Sequence, residues 1–164
     1  MKYRLITVCL GLLFASTVLG QIGSKGCNKL ERSEDRFENT VRISTPYKLT
    51  NLFRVIKVIS ETDVATYLSI RTGGYTASVG EKGVILLLED GTKLEWPDEV
   101  IDCDVNTNGP GFSYTAFIRL TDEQIDQLAA SKVSGAKLYI YETPAYKKNA
   151  AEFMQQMGCI KEMN

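Results

Sequence analysis

Val84-Ile85-Leu86-Leu87-Leu88 is an unbroken apolar run that stops at Glu89-Asp90-Gly91-Thr92, after which the chain resumes with Lys93 to Trp96. That pattern leaves few folds open. An Asp-Gly pair supplies the positive φ angles of a two-residue hairpin turn, so the run reads as a strand that folds back on its successor. Because the run lacks alternation, it further predicts a strand covered on both faces. Antiparallel sheet, rather than βαβ units, is the architecture to expect around it.

The rest of the chain agrees. Val41 to Ser44 is a short strand candidate. Leu52–Ile59 and Ala65–Thr72 read as a hairpin joined through Ser60-Glu61-Thr62-Asp63, with Leu68 and Ile70 on one face and Tyr67, Ser69 and Arg71 on the other. Val100–Val105 and Phe112–Leu120 read as strands around the polar loop 106–111, and Phe112, Tyr114, Ala116, Ile118 and Leu120 share a face. Thr121 with Gln124 fits a capping box, and Leu120 with Ile125 a hydrophobic staple, which predicts a helix to about Ser131 carrying Ile125, Leu128 and Ala129 on its apolar stripe. A strand Ala136–Glu142 follows, alternating Leu138 and Ile140 with Tyr139 and Tyr141, a pair expected to form an exposed stripe. Thr143-Pro144 then opens a second helix, Gly158 ends it, and Tyr146, Ala150, Phe153 and Met157 form its docking stripe. The expected fold class is α+β: mainly antiparallel β-sheet, as a sandwich or half-barrel, with two packed helices near the C-terminus.

Residues 1–20 have the form of a secretory signal, with Lys2 and Arg4 before an apolar core from Leu5 to Phe14 and a small residue, Gly20, before Gln21. Residues 21–40 are polar and charged and read as a linker, which leaves 41–164 as a single β-rich domain without internal repeats. The expected location is secreted or periplasmic. Cleavage would remove two positive charges from a chain whose net charge is already −1. A mildly acidic chain without a basic run is not built for phosphate backbones or anionic lipid, so no nucleic-acid partner and no transmembrane helix in the mature chain are expected. Three cysteines remain past the signal. Cys27 and Cys159 lie in terminal segments, whereas Cys103 sits in a strand, so the expected bridge is Cys27–Cys159 with Cys103 free. Three unpaired thiols is the other arithmetic.

Four stretches carry a resemblance: Tyr67-Leu68-Ser69-Ile70-Arg71-Thr72; Glu81-Lys82-Gly83 leading through Val84–Leu88 to Gly91; Leu120-Thr121-Asp122-Glu123 leading to Lys137-Leu138-Tyr139-Ile140-Tyr141; and Gly158-Cys159-Ile160. In their order the chain resembles a group of uncharacterised small exported β-rich proteins of Bacteroides-type bacteria over about residues 50 to 160. These stretches are hairpin, cap and helix-end motifs. The resemblance implies an exported, mostly β domain without an assigned activity and transfers no catalytic residues.

The chain contains no His, which excludes Ser-His-Asp and Cys-His catalysis, His-containing zinc sites and imidazole pH switching. A catalytic Cys103 would lack an imidazole to form its thiolate. Asp104-Val105-Asn106-Thr107-Asn108-Gly109 matches the first half of a calcium loop, with Asp104, Asn106 and Asn108 as oxygen ligands, but Thr115 occupies the twelfth position where a bidentate Glu belongs. Asp98, Glu99 and Asp102 lie close enough in sequence to add carboxylates; the alternative is a solvated turn. Glu89, Asp90, Glu95, Asp98, Glu99, Asp102 and Asp104 could supply a hydrolytic carboxylate pair or simply form a wet face. Among the aromatics, Tyr139 and Tyr141 are the candidates for a ligand-stacking surface. Gly73-Gly74 and Gly80 lack the strand-to-helix context of a phosphate loop. The reading that follows is an exported, non-enzymatic binding or interaction module with no catalytic residues and no cofactor, its partner an unknown protein or small ligand. A lipocalin-like carrier of a small apolar ligand is the second reading, and a calcium-dependent or carboxylate hydrolase the third. A homodimer could form by pairing on an open edge strand.

Overall fold

The computed structural model of the chain describes residues 27–46, 52–107 and 109–163; the expected signal segment lies outside them. After a 3-10 turn at Cys27–Lys29, the strands β1 (Glu31–Asp35), β2 (Thr40–Ser44), β3 (Phe53–Ile59), β4 (Val64–Gly74), β5 (Lys82–Leu88), β6 (Lys93–Val100), β7 (Asp102–Val105) and β8 (Phe112–Leu120) precede helix α1 (Asp122–Ala130). β9 (Val133–Leu138), β10 (Tyr141–Pro144) and helix α2 (Lys147–Glu162) complete the chain. The strands form two open antiparallel sheets, six strands in the order β1-β2-β3-β4-β8-β7 and four in the order β10-β9-β5-β6.

Strand alternation explains the core. The register of β4 on β8 sets Leu68 opposite Ile118, Ile70 opposite Ala116 and Thr72 opposite Tyr114, one continuous inward face. Val84, Leu86 and Leu88 of β5 and Ala136 and Leu138 of β9 form the facing layer, and Leu68, Ile70, Leu86 and Leu138 are each 0% exposed. Burying one such side chain contributes about 1.5–3 kcal/mol. The two helices pack on each other. Phe153 of α2 meets Phe53 of β3 with ring centroids 5.0 Å apart, so the helices cover the part of the larger sheet that the smaller one leaves open. The capping box of α1 is formed, with the Gln124 amide donating to Thr121 Oγ1 at 3.3 Å and the Thr121 amide to Gln124 Oε1 at 3.0 Å. Cys27 and Cys159 are bridged, with Cα atoms 5.5 Å apart, and Cys103 is a free thiol.

Several expectations are corrected. β5 is covered on its inner face only, since Leu87 keeps 41% of its surface and Ile85 is half-buried. Its turn is a three-residue loop: the Gly91 amide donates to Leu88 O, the Leu88 amide to Thr92 O, and only Gly91 has positive φ, +89°. That is a type I turn closed by a left-handed glycine. β6 runs on to Val100, tolerating Pro97 because it is an edge strand, and the chain then crosses to the other sheet at buried Ile101, so 100–105 is not one strand. Within the expected linker, the charged stretch Glu31–Asp35 is the edge strand β1; charge is what protects a sheet edge. The expected strand Ala136–Glu142 is instead the hairpin β9–β10, turning at Tyr139-Ile140 with Tyr139 at φ +54°.

Pro144 ends β10 instead of opening a helix, and Gly158 lies inside α2. A glycine in a helix interior costs about 1 kcal/mol relative to alanine. Two observations outweigh it. Met157 and Ile160 on either side are 0% exposed, and Lys57, from β3, donates its Nζ to Ile160 O at 3.1 Å and also to Met163 O. The last carbonyls of α2 thus receive a cation placed where the helix dipole favours one. Burial holds the Lys57 ammonium below the usual lysine pKa, with Asp122 acting in the opposite direction.

Candidate functional site

At one end of the two-sheet stack, where β3 begins, β4 ends, β8 begins and β10 leads to α2, the layers part around a cleft of about 360 Å³. Its apolar wall comes from Leu52, Phe53, Phe112, Pro144, Ala145 and Tyr146. Asn106 and Asn149 add polar groups from the β7–β8 loop and from α2. The volume lies at the small end of the range for ligand sites, and a mostly apolar lining with a few polar groups is their usual composition.

Among the described residues, Arg71 is the one charged residue in this lining. β4 reaches the cleft two residues before Gly73-Gly74, where strand alternation turns Thr72 toward the second sheet and puts Arg71, like Tyr67 and Ser69, on the other face of the strand. Arg71 Nε donates to Ser113 Oγ at 2.6 Å, and Ser113 is itself buried. None of the ion pairs among the described residues uses Arg71. Thr72 and Thr143 are hydrogen-bonded through their hydroxyls, tying β4 to β10 beside the cleft. A guanidinium already oriented through one nitrogen keeps further donors for an acceptor.

A second polar cluster lies on the inner face of β8. Tyr114, 0% exposed, stacks on Tyr141 with centroids 4.5 Å apart. The hydroxyls of both donate to Thr76 O, that of Tyr141 at 3.3 Å. Burial first, then the hydrogen bonds with Tyr141 and Cys103, push the Tyr114 phenol up to about 12, while the bond from Tyr114 lowers that of Tyr141. Cys103 stands opposite Tyr114 in the β7–β8 register. Gly74 makes the stack possible: a Cβ there would lie 2.6 Å from the Tyr141 ring and 2.8 Å from that of Tyr114.

The sequence candidates fall differently from their expected places. Tyr139 and Tyr141 do not form an exposed stripe; both are half-buried and pack against the core, because the turn at Tyr139-Ile140 reverses the chain between them. The seven acids are divided between the two sheets, with Glu95 on β6 and Asp102 and Asp104 on β7, and none lines the end cleft. Glu89 pairs with Lys132 at 3.4 Å. Hydrogen bonds from the Thr92 backbone and side chain lower the Asp90 pKa. In the proposed calcium loop, Asp104 is exposed on β7 and Asn106 starts the loop, its amide donating to Gly111 O, while Asn108 lies outside the described residues. Among the described residues no group of three Cys, Asp or Glu side chains converges as a metal site would require. Gly73-Gly74 end β4 and Gly80 occupies a turn with φ +78°. The Arg71–Ser113 pair was not a sequence candidate. The available signal was a single arginine in a strand otherwise alternating apolar with small or aromatic residues. Comparison with protein-family profiles, with curated proteins and with solved structures finds no match to this chain.

Proposed function

We propose that the protein is an exported, non-enzymatic binding module whose ligand site is the end cleft, and that it takes a small ligand with an apolar body and an anionic or strongly accepting group. The observation that carries this reading is a cation in an apolar cleft: among the described residues, Arg71 is the one charged residue of the lining and has no carboxylate partner. The Cys27–Cys159 bridge supports an oxidising, extracytoplasmic compartment. Among the described residues no helix is long and apolar enough to cross a membrane. A lipocalin-like carrier has less support, because the space between the sheets is filled by Leu68, Ile70, Leu86, Ile118 and Leu138, each at most 1% exposed. Hydrolysis by a carboxylate pair has less support too, since the acids do not meet in the cleft.

The test uses two fluorescent probes with similar apolar bodies, anilinonaphthalene sulfonate, which is anionic, and N-phenylnaphthylamine, which is neutral. The wild-type protein is expected to bind the sulfonate saturably and more tightly than the amine. Arg71→Gln should weaken the sulfonate about 10- to 100-fold, the value of a hydrogen bond to a charged group, and leave the amine unchanged. Equal affinity of wild type for the two probes, or an unchanged sulfonate affinity in the variant, refutes the assignment.

A further inference from the structure

The outer side of the four-stranded sheet carries a self-complementary pattern. In one row across the strands the register sets Lys93 beside Leu87 and Leu87 beside Gly135; in the next row it sets Glu95 beside Ile85 and Ile85 beside Lys137. Leu87 is 41% exposed. Gly135 presents no side chain, and a groove of about 410 Å³ runs over it, lined also by Ile85 and Leu87. Lys137 is paired within its own sheet to Glu142 at 3.0 Å, whereas Lys93 and Glu95 have no ion-pair partner among the described residues.

We infer that two copies of this chain pair face to face through this sheet. A two-fold axis lying in the interface and running across the strands exchanges the two rows. It sets Glu95 of one copy against Lys93 of the other, Ile85 against Leu87, and Lys137 over the slot at Gly135, each contact occurring twice as an isologous interface requires. An axis along the strands would instead exchange the outer strands and set Glu95 against Glu142, two like charges. Charge therefore selects one of the two arrangements, and the apolar centre supplies the burial. Sheets stacked at about 10 Å bring these side chains into reach of each other. With only Ile85 and Leu87 at its centre, the interface is small beside a standard stable one, so the association is weak and reversible.

Sedimentation velocity over a concentration series at low salt tests this. The wild type should pass from monomer to dimer as concentration rises. Lys93→Glu places like charges across both ion-pair positions and should weaken the dimer about 10-fold or more, and Lys93→Glu with Glu95→Lys should restore it. Leu87→Asp, on the exposed face and so compatible with folding, should abolish it. A wild type that stays monomeric throughout overturns the inference. So does a dimer indifferent to Lys93→Glu and Leu87→Asp, or one that the charge exchange fails to restore.

Discussion

Replacing Cys27 with Ser opens the Cys27–Cys159 bridge, whose cysteines are 132 residues apart. Cys27 is the side to change, because it is half-buried at the start of the described chain, whereas Cys159 is 2% exposed and a serine there would bury a hydroxyl. For a loop of that length the chain-entropy relation gives about 17 cal/mol/K, hence about 5 kcal/mol at 25 °C, and native disulfides in practice contribute about 2–5 kcal/mol. Taking about 2.1 cal/mol/K of unfolding entropy per residue over the roughly 130 described residues, a loss of about 2–5 kcal/mol lowers Tm by about 7–18 °C. Near-UV circular dichroism and the fluorescence of the single tryptophan, Trp96, which packs against the core, follow the transition. The variant should show native spectra at room temperature, because the effect lies in the freedom of the unfolded chain. Its denaturant m-value should rise as that chain expands. Cys103→Ser, altering a thiol outside the bridge, serves as the comparison. A Tm change of less than about 3 °C in Cys27→Ser, or loss of native spectra before unfolding, refutes the entropic reasoning.

Three further outcomes follow from the geometry. Gly74→Ala drives a methyl into the Tyr114–Tyr141 stack and should cost about 1–3 kcal/mol in chemical denaturation; wild-type stability would falsify the reading of Gly74 as the residue that admits the stack. Tyr114 holds its proton to about 12 when folded against about 10 when unfolded, so its stabilising contribution is complete below pH 10 and is lost as pH rises through about 12. Tyr141, with its folded pKa lowered, contributes in the opposite sense below pH 10. Denaturation across alkaline pH should therefore show a decline above pH 10 in wild type that is absent from Tyr114→Phe, and parallel profiles would contradict the assignment. Thr121→Ala removes the hydroxyl of the capping box of α1 and should lower stability by about 1 kcal/mol, with faster amide exchange in the first turn; unchanged exchange at Gln124 would show that the cap contributes nothing there.

What was legible from sequence depended on how far apart the deciding residues lie. The capping box of α1 involves residues three apart, and the face shared by Tyr114, Ala116, Ile118 and Leu120 follows from strand geometry alone, so both could be read directly. The antiparallel fold class followed from the spacing of short strands and turns. The Cys27–Cys159 pairing needed only the positions of three cysteines relative to the chain ends. Other features were settled by distant contacts. Gly158 has the local signature of a helix end, yet α2 continues because Met157 and Ile160 are buried and Lys57, 103 positions before Ile160, caps its carbonyls. Tyr139 accepts a positive φ because both it and Tyr141 gain burial against the core on either side of the turn, a gain invisible in the run Leu138–Tyr141. The charged Glu31–Asp35 becomes a strand only because β2 offers its ladder. Local chemistry by itself determined the caps and the alternation, since those signals act within a turn or along one strand, and the bridge, though it spans 132 residues, followed from there being so few cysteines to pair. Tertiary structure alone decided the cleft around Arg71, whose walls come from β3, β4, β8, β10 and α2, because only folding brings together side chains separated by most of the chain.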